Sequence, residues 1–328
     1  MRWVPALVSM SAIALAGCTD SAVEADAPTC DRSCLVQLAG DYVAALATHD
    51  PSGLPLAENV AFVENIEAMD VGEGLWETAT SGATDFAITV PDEEWQSVGW
   101  FGMIGNAGEP TMLAVRLKLE DGQITEIEHR VVAPAAGMEE NLAAPRAGLV
   151  SEVPEEARLP HDELVRIGAS YYDAVDDNDG SLMPFAEDCE RHENGIITSG
   201  PKAGNGPNSD VPPIASDCAG QLSAGVMAYI TTIGDRFVFA ADPVTGLAMG
   251  FSSLQHPMDF EPYPITSMDG TVTMRSVEDL GYEPWDNVAA HIWKVGADGM
   301  VHEIEALGFR APSGAATDFA RTSVRAEE

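Results

Sequence analysis

The sequence predicts an α+β protein made by internal duplication, and three observations carry that prediction. Residues 42–66 match residues 171–195 without a gap, with nine identities in 25 positions. Each half opens on a helical run of apolar residues and closes on alternating apolar runs joined by Asp-Gly. The stretch between the halves is rich in Ala, Pro and Glu and reads as a linker.

The paired identities include Tyr42 with Tyr171, Asp50 with Asp179, Ser52 with Ser181, Pro55 with Pro184, Glu64 with Glu193 and Asn65 with Asn194. Leu35, Leu38, Tyr42, Ala45 and Leu46 recur at three- and four-residue steps, as do Leu164, Ile167, Tyr171 and Val175. Those steps put the apolar side chains on one face of a helix. Strands are expected at Val98–Met103, Thr111–Leu119 and Ile124–Val132, and again at Phe237–Ala241, Leu247–Ser252, Ala289–Val295 and Val301–Phe309. Asp121-Gly122 and Asp298-Gly299 supply the closing hairpin turns. Helix first and antiparallel strands after is an α+β order.

The N-terminus has a different character. Met1-Arg2-Trp3 gives a short positive start, and Val4–Ala16 is small and apolar but too short to cross a bilayer. It ends in Leu15-Ala16-Gly17-Cys18, which resembles the lipobox of bacterial lipoproteins. That resemblance implies cleavage before Cys18, a lipid on its sulfur and a body outside the cytoplasm. With Thr19 in place of Asp, it also implies sorting to the outer membrane, facing the periplasm or the cell surface. The expected organisation is a signal peptide at 1–18, a flexible tether at 19–29, a first domain at 30–135, a linker at 136–159, a second domain at 160–315 and a disordered tail at 316–328.

A hydrophobic content of 45% suits a globular body, while the net charge of -37 repels nucleic acid and anionic headgroups. Four cysteines besides Cys18 read as two disulfides in an exported chain. Three connectivities are open; Cys30–Cys34 and Cys189–Cys218 keep each bond within one half. The spacings match no zinc pattern, so no metal is expected. Phosphate-loop, dinucleotide and Gly-x-Ser-x-Gly motifs do not occur.

Tyr42-Val43-Ala44-Ala45-Leu46, then His49-Asp50-Pro51-Ser52, then Glu64-Asn65 and strands closing on a hairpin resemble the SnoaL-like branch of the nuclear transport factor 2-like superfamily. The second half carries its own variant in Phe185-Ala186-Glu187-Asp188-Cys189-Glu190-Arg191-His192-Glu193-Asn194. The resemblance implies two tandem cone-shaped domains, an intramolecular pseudo-dimer of the repeats. Each cone would pack N-terminal helices on a curved antiparallel sheet, with an apolar pocket at its open end. It further implies cofactor-free acid–base chemistry where a member is catalytic, and the same fold hosts members that do none.

Arg191-His192-Glu193-Asn194 concentrates polar groups in an expected strand, where alternation puts Arg191 and Glu193 on one face and His192 and Asn194 on the other. One reading is a solvated edge strand. The other is a pocket wall with His192 as base, assisted by Arg191 and by Tyr171 as oxyanion donor, under a lid formed by Ser199–Ala219. Glu64-Asn65 and Glu193-Asn194 recur in both halves, which favours a structural role for that pair. Trp76, Trp100, His256 and Tyr42 are candidate pocket residues for a flat or hydrophobic ligand. Two functions stay open: a cofactor-free dehydratase, isomerase or lyase acting on a small hydrophobic molecule, and a non-catalytic module binding a ligand or a protein partner.

Overall fold

A computed structural model describes residues 29–200, 217–267 and 270–317, together with Met1 and Ala203. The expected leader, Cys18, nearly all of the tether, most of the Ser199–Ala219 loop and most of the tail lie outside the described residues.

The first half runs α1 (Arg32–Thr48), β1 (Leu56–Glu64), β2 (Glu67–Met69), α2 (Leu75–Thr78), β3 (Ala79–Ser81), β4 (Ala87–Asp92), β5 (Ser97–Asn106), β6 (Glu109–Glu120) and β7 (Gln123–Val132). A linker with the short α3 (Ala147–Val150) leads to the second half. That half runs α4 (His161–Asp176), β8 (Phe185–Glu193), β9 (Ile196–Ser199), α5 (Cys218–Ser223), β10 (Thr232–Asp242) and β11 (Leu247–His256). It continues through β12 (Tyr263–Thr266), β13 (Val272–Arg275) and α6 (Val277–Leu280) to β14 (Trp285–Val295) and β15 (Val301–Pro312).

The two sheets share one topology. The first is ordered β2-β1-β7-β6-β5, with β3 and β4 both on β5, and the second β9-β8-β15-β14-β11-β10. In each, the first strand runs parallel to the closing strand, β1 to β7 and β8 to β15. All other pairings are antiparallel. Each sheet lays its inner face on its own leading helix, α1 or α4. This is the α+β cone, twice over, that the SnoaL-like resemblance implies.

The repeated residues have repeated structural work. Asp50 and Asp179 each accept the backbone N–H two residues on, from Ser52 and Ser181, which turns the chain out of its helix. The carbonyls of Pro55 and Pro184 each receive a backbone N–H of the closing strand, from Ile124 and Val301. Asn65 and Asn194 both hold positive φ, 48° and 50°. Each side chain then clamps one backbone position of the closing strand twice, Val131 and Gly308 respectively. The two Asn–backbone clamps set the register of the parallel pair.

α1 is capped by Asp31, which accepts from Cys34, and ends on His49 in the left-handed region. The disulfides Cys30–Cys34 and Cys189–Cys218 are both formed, the second tying α5 to β8. No described helix is long and apolar enough to cross a membrane.

The outer faces of the two sheets share a core. Phe86, Ile88, Val90, Phe101 and Met103 of the first half bury against Phe239, Met249, Phe251, Ile292 and Leu307 of the second. Arg116, held by Glu126 and Glu128, lies on the rings of Phe237 and Phe239, and Arg130 lies on Phe251. At the rim the contacts are reciprocal. Arg32 opening α1 pairs with Asp242 closing β10, and His161 opening α4 pairs with Asp92 closing β4. Arg32 and His161 occupy matching positions of the repeat, as do Asp92 and Asp242.

Candidate functional site

Inside the first cone, buried Tyr42 and His129 and the partly buried Glu64 form a chain. The Tyr42 hydroxyl meets Nε2 of His129 at 2.8 Å, and His129 Nδ1 meets Glu64 at 3.1 Å. The Glu64 carboxylate then accepts the backbone N–H of Leu75, 3.1 and 3.2 Å from its two oxygens. α2 can approach this closely because Gly74, at φ 62°, precedes it; a Cβ there would come within 2.7 Å of a Glu64 oxygen. Trp76 of α2 is buried edge-on against Tyr42, with centroids 5.4 Å apart. Burial, seconded by Glu64, holds the Tyr42 phenol well above its ordinary pKa, so it stays protonated. Leu75 and Trp76 of α2 pack into the core of the first cone, where Trp76 Nε1 is the one buried atom of this group without a partner among the described residues. Glu64 is engaged by His129 and by backbone.

The second cone keeps the tyrosine and the glutamate but joins them differently. Arg191, which matches Phe62 in the repeat, donates from Nε to the Tyr171 hydroxyl at 3.0 Å. It also donates from Nη1 to Thr198 at 2.9 Å and from Nη2 to Glu193 at 2.7 Å. Asn287 donates to the other Glu193 oxygen at 3.3 Å. Glu193 pairs along the strands with Ala306, where Glu64 pairs with His129, so the bridging cation comes from β8 and not from the closing strand. Burial works against the guanidinium charge, but Tyr171 and Glu193 outweigh it and raise its pKa further. Burial likewise raises the Tyr171 phenol.

One further residue completes this face. His291 on β14 lies between Tyr171 and Tyr172, with centroids at 5.1 and 5.7 Å, and parallel to Trp293. Burial first, then Arg191, pushes its pKa to about 3, so the ring is neutral at physiological pH. His291 Nδ1, Trp293 Nε1 and Ser252 Oγ are buried and have no hydrogen-bond partner among the described residues. The strand pairings put all three on the inner face. Gly250 opposes His291 and Ser252 opposes Ala289, and Ala289 and Trp293 belong to the core around α4. Unmet polar atoms are costly in a protein interior, so three on one wall call for an occupant that meets them.

Of the residues expected from sequence, Tyr171 and Arg191 come together, while His192 does not join them. It faces the other side of β8, at 2.8 Å from Glu190 and opposite Glu305, near the Arg146 ion pairs. β8 lies between β15 and β9 and is not an edge strand. Tyr42, Trp76 and Trp100 sit in the core of the first cone. His256 stacks on Trp285 at 3.8 Å on the second. His291 was missed because His291-Ile292-Trp293 reads as core. The signal lay in the repeat: aligning Lys118 with Lys294 puts His291 where the first half has Val115 and Trp293 where it has Leu117. Among the described residues no group of three side chains is arranged to hold a metal ion.

Residues 157–308 match the family described as "Domain of unknown function (DUF8021)". No curated protein matches the chain. Among solved structures it is similar to an NTF2-like protein of unknown function from Cytophaga hutchinsonii, at 19% identity over 30% of this chain and 89% of that one, TM-score 0.25. A candidate polyketide cyclase from Silicibacter is 16% identical over 46% of this chain and 93% of that one, TM-score 0.27. PrhC from Penicillium brasilianum is 10% identical over 45% and 82%, TM-score 0.25. Likenesses of this size say nothing about activity. By its own topology the chain is a tandem of two α+β cones, and the family match falls on the second.

Proposed function

We propose that this chain binds a small organic molecule in its second cone, and that the first cone is a structural partner. The observation that carries the reading is the wall of unmet polar atoms, His291 Nδ1, Trp293 Nε1 and Ser252 Oγ, beside an intact Tyr171–Arg191–Glu193 network. The matching positions of the first cone are Val115, Leu117 and Gly102, all without polar side-chain atoms, and Leu75 and Trp76 of α2 join the same core. A ligand with an acceptor or donor on an otherwise apolar frame meets such a wall. Soaking crystals of the processed protein with small carbonyl compounds tests this. Density within hydrogen-bonding reach of His291 supports it, and density confined to the first cone, or a second cone packed shut, refutes it.

A second reading, a cofactor-free isomerase, dehydratase or lyase, is favoured by one contact. The Tyr171 hydroxyl accepts from Arg191, which leaves its own proton free to donate and polarises the O–H. Such a phenol stabilises an oxyanion formed when a carboxylate, here Glu193, removes a proton next to a carbonyl. His291, neutral and weakly basic, orients substrate in that scheme and is not the base. Tyr171→Phe would then abolish turnover and leave ligand affinity within about threefold; equal loss of both returns the site to simple binding.

The reading extends to the whole chain. Reciprocal pairs at matching positions, Arg32–Asp242 and His161–Asp92, support an intramolecular pseudo-dimer, because a two-fold interface repeats each contact with the roles exchanged. The apolar leader and Leu15-Ala16-Gly17-Cys18 support an exported lipoprotein anchored through Cys18, held by the tether on the periplasmic face of the outer membrane or at the cell surface. Radiolabelled palmitate incorporation tests the anchor. Label that persists after Cys18→Ser contradicts it.

A further inference from the structure

In the first half, β5 and β6 are joined by a turn at Ala107-Gly108. At the matching point of the second half, between β11 and β14, residues 257–284 are inserted. The insertion carries Arg275, which donates to the carbonyl of Val226 and lies over the ring of Tyr229, 5.7 Å from its centroid. Tyr229 packs on His256 at 5.3 Å, His256 stacks on Trp285 at 3.8 Å, and Arg310 lies over Trp285 at 4.3 Å. The result is a continuous aromatic stack with an arginine at each end. Trp285 and Asn287 are two apart on β14 and share a face, and Asn287 donates to Glu193 at 3.3 Å, so the stack adjoins the Tyr171–Arg191–Glu193 network.

Neither arginine is ion-paired with a described carboxylate. Arg275 is half-buried and Arg310 exposed. Glu278 and Asp279 of α6 follow Arg275, and Asp279 is engaged in capping Ser276. Arg275 spends one Nη1 bond on Val226, and a guanidinium beside a ring still presents further N–H groups that match a carboxylate. In a chain of net charge -37, Arg275 and Arg310 are two arginines that form no ion pair with a described carboxylate. The acidic surface repels anions elsewhere, so the pair attracts one to this place.

We propose that the Arg275–Tyr229–His256–Trp285–Arg310 stack selects a planar, carboxylate-bearing ligand for the second cone. The carboxylate takes the N–H groups of the arginine at one end of the stack, and the flat body lies along the half-buried edges of Tyr229 and Trp285. This rests on the second cone being the ligand site.

A matched pair of fluorescent probes tests it on the processed chain: pyrene-1-carboxylate and pyrene-1-methanol, titrated at low salt. The expected result is tighter binding of the carboxylate, with Arg275→Gln/Arg310→Gln weakening it at least tenfold and the alcohol less than twofold. Thermal denaturation of the double variant separates loss of binding from loss of fold. Equal affinities for the two probes, or equal losses in the variant, overturn the carboxylate selection and leave the ligand site standing. If neither probe binds, or both bind but resist His291→Val, the cone assignment fails and this proposal with it.

Discussion

Raising the pH should loosen one of the two reciprocal rim contacts and spare the other. His161 Nε2 stands 2.7 Å from Asp92, which is wholly buried, while the imidazole is one-tenth exposed. Asp92 also accepts the backbone N–H groups of Ala241 and Trp95, at 2.9 and 2.8 Å, so it is fixed from both halves. Burial opposes a charged His161, but Asp92, then Glu94 and Asp162, outweigh it and raise its pKa above 6.5. The folded state therefore binds this proton more tightly than the unfolded chain does. The stabilisation is complete below about pH 6.5 and is lost as pH rises through the folded-state pKa. A charge-assisted hydrogen bond contributes about 1.5–3 kcal/mol. Solvent at the outer edge of the imidazole brings that down to about 1 kcal/mol, or about 2–4 °C in melting temperature. The matching contact, Arg32–Asp242, has a guanidinium in place of the imidazole, and its charge persists across this range. The assay is thermal denaturation from pH 6 to pH 9 of the native chain and of His161→Arg, the difference between them cancelling all other titrating groups. The native chain should lose the extra stability across that range while the variant does not. Identical pH slopes would refute the reasoning.

Other consequences follow from the packing of α2 into the first cone and from the second disulfide. Trp76→Ala removes a fully buried indole beside Tyr42 and should cost about 3–5 kcal/mol by urea denaturation, with probe binding to the second cone unchanged. A cost below about 1 kcal/mol would mean that α2 does not pack into the core of that cone. Reducing Cys189–Cys218, which spans 29 residues, should lower stability by about 3–4 kcal/mol, seen as a drop in the denaturation midpoint with added reductant. An unchanged midpoint would show that α5 holds to β8 without it.

Much of this architecture was legible because the duplication kept the residues that set geometry. Asp50 and Asp179 turn the chain after the helix, and Asn65 and Asn194 clamp the closing strand, so their spacing carried the register. The expected alternating strands lie within observed ones, except that Asn194, expected in the strand of Arg191, follows β8 at positive φ. β4 escaped notice because Pro91 interrupts its apolar run, although the residue pairs with Val98 at the strand end. α2 escaped because Gly72–Gly74 reads as loop. The site was half legible. Polar density in β8 pointed to Arg191, and alternation separated it from His192, but which face turns inward depends on the order of strands in the sheet. That order put Arg191 with Tyr171 and sent His192 to Glu190. His291 shows the opposite failure. A lone histidine among apolar neighbours looks like core until the neighbouring strands reveal that no described residue bonds its Nδ1.

The central claim is that the second cone works and the first supports it. The most direct test is the affinity of pyrene-1-methanol for the native chain, for His291→Val and for Tyr42→Phe, each checked for folding by its melting temperature. His291→Val gives the second cone the residue that the first cone carries at that position, and Tyr42→Phe removes the 2.8 Å hydrogen bond to His129 in the first. The account predicts at least tenfold weaker binding for His291→Val and no change for Tyr42→Phe. Loss of binding in Tyr42→Phe, with His291→Val unaffected, would contradict it.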